Sequence, residues 1–220
     1  MAGTDLTAAA LAGLTPTQLV DLLAGLDPAD ERIAQLDLNA LAAGIDPRGL
    51  TRADFVRALS QLDRLAAGGA DLELSTMDPE IFADLIAHAS KGQVDSVMSH
   101  PLLRGRVLDE IFRRMQSHFR PDRAGEARAV VHFRFAGSPT EDDGYDRYES
   151  VISAGTCHAA RGRTADPRVT ITIGPADFLK LITKNASAPV LFMTGKLKVR
   201  GDLGFAAGMM TYFDLPSPRT

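Results

Sequence analysis

Cysteine is almost missing from this 220-residue chain, where Cys157 stands alone. A single thiol forms no internal disulfide and no multi-cysteine metal site, which fits a reducing compartment such as the cytoplasm. Long apolar runs are missing too. No stretch approaches the roughly 18 uninterrupted apolar residues of a membrane-spanning helix. The small, apolar segment Met1–Leu14 carries Asp5 and no basic residue, which argues against a secretory signal. There is no basic surplus either. With 28 acids against 24 Lys and Arg, the net charge of −4 leaves no electrostatic footprint for nucleic acid. What remains is ordinary globular composition, 45% hydrophobic and 24% charged, which excludes a mainly disordered or collagenous chain.

Charge and aromatics divide the chain unevenly. Residues 1–75 hold 11 acids against 5 Arg and no Lys, with Phe55 as their only aromatic. The other nine Phe and all three Tyr come later. The Gly68-Gly69-Ala70 stretch between the parts reads as a linker. Two domains are therefore expected, an acidic helical module over 1–75 and a second domain over 76–220.

Helix-start signals recur in the first part. Thr15, Pro16 and Gln18 form a capping box ahead of Leu19, Leu22, Leu23 and Leu26. Asp27-Pro28 is expected to cap a run through Ile33, Leu36, Leu38 and Leu41, and Thr51 with Asp54 one through Phe55, Val56, Leu59 and Leu62. The likeness of 14–26 to 50–62 is shared helix grammar, since a solenoid needs three or more copies. Asp37–Arg48 fails as a calcium loop, with Ala42 where glycine is required and Leu41 in place of an oxygen ligand.

From Met77 the pattern runs helix, sheet, helix. Helices are expected from Pro79 and over Pro101–His118. Period two follows, with Val131, Phe133 and Phe135 alternating with His132 and Arg134, the latter pair expected at the surface. Further strands are expected at Tyr145–Ser153, Thr156–Arg161, Arg168–Ile173 and around Leu197 and Val199. A helix starts at Pro175, and a closing helix, Asp202–Phe213, has Asp202 as its N-cap. Five strands with one apolar face and amphipathic helices make an α+β domain. Its last third is rich in Phe and Met, which suits either a packed core or a lipid pocket.

Catalytic spacings fail one by one. The histidines at 88, 100, 118, 132 and 158 match no helical zinc spacing. Cys157 and His158 are adjacent on a strand and point to opposite faces. Ser153 lacks the glycine of a nucleophile elbow, because Val151 stands there. Thr194-Gly195-Lys196 lacks the rest of a phosphate loop. No catalytic residue, metal or cofactor is expected.

Three segments together carry a resemblance. They are Asp166–Ile173, Asp177–Leu181 and Phe192–Ala206, the last containing Gly195-Lys-Leu-Lys-Val-Arg-Gly201. With Arg106–Met115, which is similar to the leading helix of bacterial members, they resemble the sterol carrier protein type 2 lipid-transfer family over about 76–215. The resemblance implies a five-stranded sheet covered by helices that enclose an apolar tunnel for a sterol, fatty acid or acyl-CoA. Such a tunnel takes its lining from the apolar faces read above. Phe119, Val131, Phe133, Phe135, Ile171 and Ile173 come from the segment before the sheet and from the first and fourth strands. Phe178, Leu181 and Ile182 come from the helix at Pro175, and Phe192, Met193 and Thr194 from the segment before the last strand. Phe205, Met209, Met210 and Phe213 complete the set from the closing helix, which is expected to open because nothing beyond it holds it down. The expected role is an intracellular lipid carrier making transient membrane contact. An enzyme using the same cavity is the alternative, as is an interaction module that dimerises or recruits partners through residues 1–75. Lys196, Lys198 and Arg200 read first as a solvated face, with attraction to an anionic membrane or to CoA phosphates as the alternative.

Overall fold

A computed structural model describes residues 13–30, 36–67 and 77–216, together with Leu11 and Ile33. The Gly68–Ala70 stretch, the boundary expected at 75/76 and the closing Ser217–Thr220 lie outside those residues. The described chain falls into two compact units, one ending at Val97 and the other running Met98–Pro216.

The first unit is helical because capping residues cut a Leu- and Ala-rich sequence into short amphipathic pieces. α1 (Pro16–Gly25) opens on the expected box, with the Gln18 amide donating to Thr15 Oγ1 and the Thr15 amide to Gln18 Oε1. Residues 31, 32, 34 and 35 of the run expected from Asp27 lie outside the described residues, and its Leu38 and Leu41 belong to a separate helix. The Asp27 carboxylate accepts from the Ala29 amide and closes a turn, and Asp37 caps that helix, α2 (Leu38–Gly44). The local cap at Asp37 thus divides the expected run. α3 (Arg52–Ala67) starts at Thr51, whose hydroxyl accepts from the Asp54 amide. α4 (Pro79–His88) and α5 (Lys91–Ser99) pack with these helices. The Asp78 amide donates to Asn39 Oδ1, and buried Gln93 donates to the carbonyls of Pro47 and Leu50.

The second unit is α+β. α6 (Pro101–Ser117) and α7 (Pro121–Ala124) lead into β1 (Ala129–Ala136), β2 (Tyr145–Ser153), β3 (Thr156–Arg161) and β4 (Val169–Ile173). Next come α8 (Pro175–Ile182), α9 (Ala188–Met193), β5 (Leu197–Gly201) and α10 (Leu203–Met209). The five strands lie in the order β3-β2-β1-β4-β5, with β1 and β4 parallel and all other neighbours antiparallel. Ala154 and Gly155, both at positive φ, close the tight β2–β3 hairpin. Buried Arg104 pins α6 to the sheet, donating to Asp146 Oδ2 at 2.6 Å and to the carbonyls of Phe135 and Ala136.

The closing segment differs from expectation in two ways. The helix ends at Met209, a 3₁₀ turn spans Met210–Tyr212, and Phe213 leaves helical geometry to form an antiparallel bridge with Phe119. It is also held down. The Arg120 amide donates to the Tyr212 carbonyl, the Asp214 amide to the His118 carbonyl, and Arg120 and Arg123 pair with the Asp214 carboxylate. The chain before β1 supplies a clamp that the sequence reading of a free end left out.

Candidate functional site

Cross-strand partners share a face of a sheet, so the register sorts the side chains into rows. On the face bearing Val131, Phe133 and Phe135, one row runs Asp146, Phe135, Ile173, Leu197 and the next Tyr148, Phe133, Ile171, Val199. The third runs Ala159, Ser150, Val131, Val169, Gly201, and beyond it lie Cys157, Ile152 and Ala129. The first two rows carry rings, and the third carries small side chains.

Aromatic rings fill the first end. Phe112 of α6 stacks on Tyr148 with centroids 4.2 Å apart and meets Phe133 edge-on at 5.0 Å. Phe178 of α8 lies 4.9 Å from Phe135 and 5.9 Å from Phe133. The Tyr148 hydroxyl donates to Asp109 Oδ1 and accepts from Arg161. Burial, then the Asp109 carboxylate, push its pKa well above the ordinary phenol value, so it stays neutral.

The second end is bordered by the segments that enter β1 and leave β5. Gly201 sits at φ +100°, and a Cβ there would lie 2.4 Å from the Arg168 carbonyl oxygen, so only glycine allows the strands to approach. From this point α10 packs over β4 and β5, with Phe205 and Met209 buried. Arg168, which precedes β4, is paired with Asp202 and lies over the Phe205 ring. Phe119 and Phe213 meet edge-on at 5.6 Å, both buried. Within the small-residue row, Ser150 is fully buried, and its hydroxyl has no hydrogen-bond partner among the described residues. An unsatisfied buried hydroxyl costs about 1–3 kcal/mol, which a bound polar group would relieve.

The residues expected to line a pocket are thus divided. Phe133, Phe135, Ile173 and Phe178 belong to the ring-filled end, with Leu181 buried and Ile182 half-buried on α8. Val131 lies in the small-residue row, Ile171 next to it, and Phe119, Phe205, Met209 and Phe213 are buried in the bordering segments, with Met210 half-buried. Phe192, Met193 and Thr194 are exposed, Met193 by 81%. The Thr194 hydroxyl donates to the Val190 carbonyl of its own helix. Phe112, Tyr148 and Ser150 escaped the sequence reading. Counting back in twos from Ile152 through Ser150 to Tyr148 would have found the last two, and Phe112 continues the Leu108 stripe at i, i+4.

The opposite face carries His132 against Glu149. Glu149 is buried beneath the loop at Thr164-Ala165, whose amides donate to it, and His132, expected at the surface, is half-buried against Glu149. Burial works to raise the Glu149 pKa, but the Thr164 hydroxyl, the amides of Thr164 and Ala165 and the His132 ring outweigh it and hold the carboxyl at about 2. Burial pushes the Cys157 thiol up to about 11, which leaves it a poor nucleophile. Among the described residues no three His, Cys, Asp or Glu side chains group as metal ligands.

The model of the SCP-2 sterol transfer family matches residues 108–214. This stretch belongs to the SCP-2 family. Members of that family generally bind or transfer lipids. No curated protein matches the chain. Among solved structures, sterol carrier protein 2 of Yarrowia lipolytica in its apo form is 24% identical, with a TM-score of 0.35, over 42% of this chain and 71% of that one. Sterol carrier protein 2 like 2 of Aedes aegypti is 20% identical, with a TM-score of 0.39, over 52% of this chain and 95% of that one. The sec-alkylsulfatase Pisa1 of a Pseudomonas species is 14% identical, with a TM-score of 0.44, over 93% of this chain but 32% of that one. No described helix is long and apolar enough to cross a membrane.

Proposed function

We propose that the Met98–Pro216 unit is an intracellular carrier that encloses an apolar ligand bearing one polar group and releases it chemically unchanged. The ligand lies over the Val131–Val169 row, beneath Phe119, Phe205, Met209 and Phe213, with its polar group on Ser150. The observation that supports this reading is the unpartnered Ser150 hydroxyl, fully buried in the small-residue row outside the Phe112–Phe178 ring cluster. Affinity comes from burial, at about 25 cal/mol for each Å² of apolar ligand surface removed from water. Methionine next to the ligand accommodates different chain shapes with little strain. Fatty acids, sterols and acyl-CoA thioesters all have this chemistry, a long apolar body with one hydrogen-bonding head. A cytoplasmic setting fits the single, buried Cys157.

Native mass spectrometry of the purified full chain, followed by displacement of a fluorescent fatty acid, tests the proposal. A co-purifying lipid, or saturable displacement at one site per chain, is the expected result. A chain free of lipid that displaces neither fatty acid nor sterol overturns it.

A further inference from the structure

Four of the five lysines in the chain, Lys180, Lys184, Lys196 and Lys198, fall with Arg200 between Phe178 and Gly201. That stretch contains no Asp or Glu, in a chain whose net charge is −4. Its middle is α9, a six-residue helix whose apolar side chains face mainly outward. At about 100° per residue, Leu191 is the inward one, and Phe192, Met193 and Val190 follow in order around the other side. Their exposures agree: Leu191 is 5% exposed, Phe192 45%, Met193 81% and Val190 55%. Three neighbouring large apolar groups are therefore held in water on one small helix, although packing could have buried them as it buries Leu191.

The cations lie on either side of this helix. Lys184 is exposed in the turn after α8, and Lys198 and Arg200 are exposed on β5, the edge strand against which α9 packs. None of these three has an ion-pair partner among the described residues, whereas Lys196 is paired with Asp177. An apolar tip with a cationic surround suits one kind of surface above others. Protein interfaces are enriched in aromatics and Arg and depleted in Lys. Segments that lie in the headgroup layer of a bilayer combine Phe and aliphatic groups with Lys, whose long stem lies along apolar surface while its ammonium reaches phosphate. We infer that α9 and the adjoining β5 edge dock on an anionic lipid bilayer, with Val190, Phe192 and Met193 entering the headgroup layer and Lys184, Lys198 and Arg200 meeting lipid phosphates. The docking depends on the carrier reading for its purpose but not for its chemistry.

Sedimentation of the full chain with vesicles tests the surface directly. The wild-type chain is expected to bind vesicles of phosphatidylcholine mixed with phosphatidylglycerol, to bind phosphatidylcholine alone far more weakly, and to be released by salt. Each of Lys184→Gln, Lys198→Gln and Arg200→Gln should weaken binding by about fivefold. Met193→Asp should weaken it by about tenfold or more at unchanged thermal stability, since that side chain is already in water. None of these variants should alter fluorescent fatty-acid binding measured without vesicles.

Wild-type chain that stays in the supernatant with anionic vesicles overturns the inference. So does Met193→Asp binding as well as wild type. Light scattering that shows concentration-dependent association abolished by Met193→Asp, without vesicle binding, would assign the patch to a second copy of the chain instead. If vesicle binding follows this pattern while fatty-acid binding is absent, the docking stands and the carrier reading falls.

Discussion

The two ends of the covered sheet face are built from the same strands and still differ in what occupies them. At one end Phe112, Tyr148, Phe133, Phe135 and Phe178 contact one another. At the other, the strands present Ala159, Ser150, Val131, Val169 and Gly201, and the buried Phe119, Phe205, Met209 and Phe213 lie in the segments that border the sheet. Rings that contact one another make a core, and the proposed carrier reading assigns ligand binding to the small side chains beside the unpartnered hydroxyl. A similar contrast appears within two residues of β2. Glu149 points to one face with four hydrogen-bonding partners, and Ser150 to the other with none among the described residues.

The largest effect should follow from emptying the ring-filled end. Phe112→Ala removes a side chain in contact with four other rings and should cost about 3–5 kcal/mol in urea unfolding, with little change in ligand affinity for the chain that remains folded. A loss of affinity at full stability would show that the two ends are not separate.

Glu149 gives an effect of intermediate size. Its carboxyl is held at about 2 against an ordinary value of 4.5, so the stability it contributes is fully present above about pH 4.5. That stability declines as pH falls toward 2. Glu149→Gln should cost roughly 2 kcal/mol at neutral pH and should flatten this decline in urea melts taken across the acid range. An unchanged acid slope would mean that Glu149 is not the titrating group.

Ser150→Ala should have the smallest effect on stability, between no change and a gain of about 1 kcal/mol, because it removes an unsatisfied group. Affinity for a fatty acid should nevertheless fall by about tenfold, while a hydrocarbon of equal length binds unchanged. Equal losses for both ligands would make Ser150 a packing residue.

Much of this fold was legible in the sequence. The turns at Ser138–Gly144 and Ala154-Gly155 placed β2 and β3 at Tyr145–Ser153 and Thr156–Arg161, and side-chain caps placed the starts at Thr15 and Asp202. These features depend on neighbours a few residues away. The errors depend on distant partners. His132 is half-buried because it pairs with Glu149, which the Thr164-Ala165 loop covers, and Phe213 leaves the closing helix because Phe119 offers a bridge. Phe192 and Met193 read as pocket lining because composition cannot tell an outward apolar group from an inward one. The site was legible as an apolar face but not as two ends, since only the register shows that Ser150 lies opposite Val131 and not opposite a ring.

Methyl NMR of the full chain labelled at methionine tests the division of the face most directly. Met209 is buried in α10, the helix that packs over β4 and β5, whereas Met77 is buried in the first unit and the Met98 carbonyl accepts from Arg104. On titration with oleate, the account predicts that the Met209 methyl shifts and saturates with one equivalent while Met77 and Met98 hold their positions. A silent Met209 in a chain that binds oleate would place the ligand elsewhere and contradict the account.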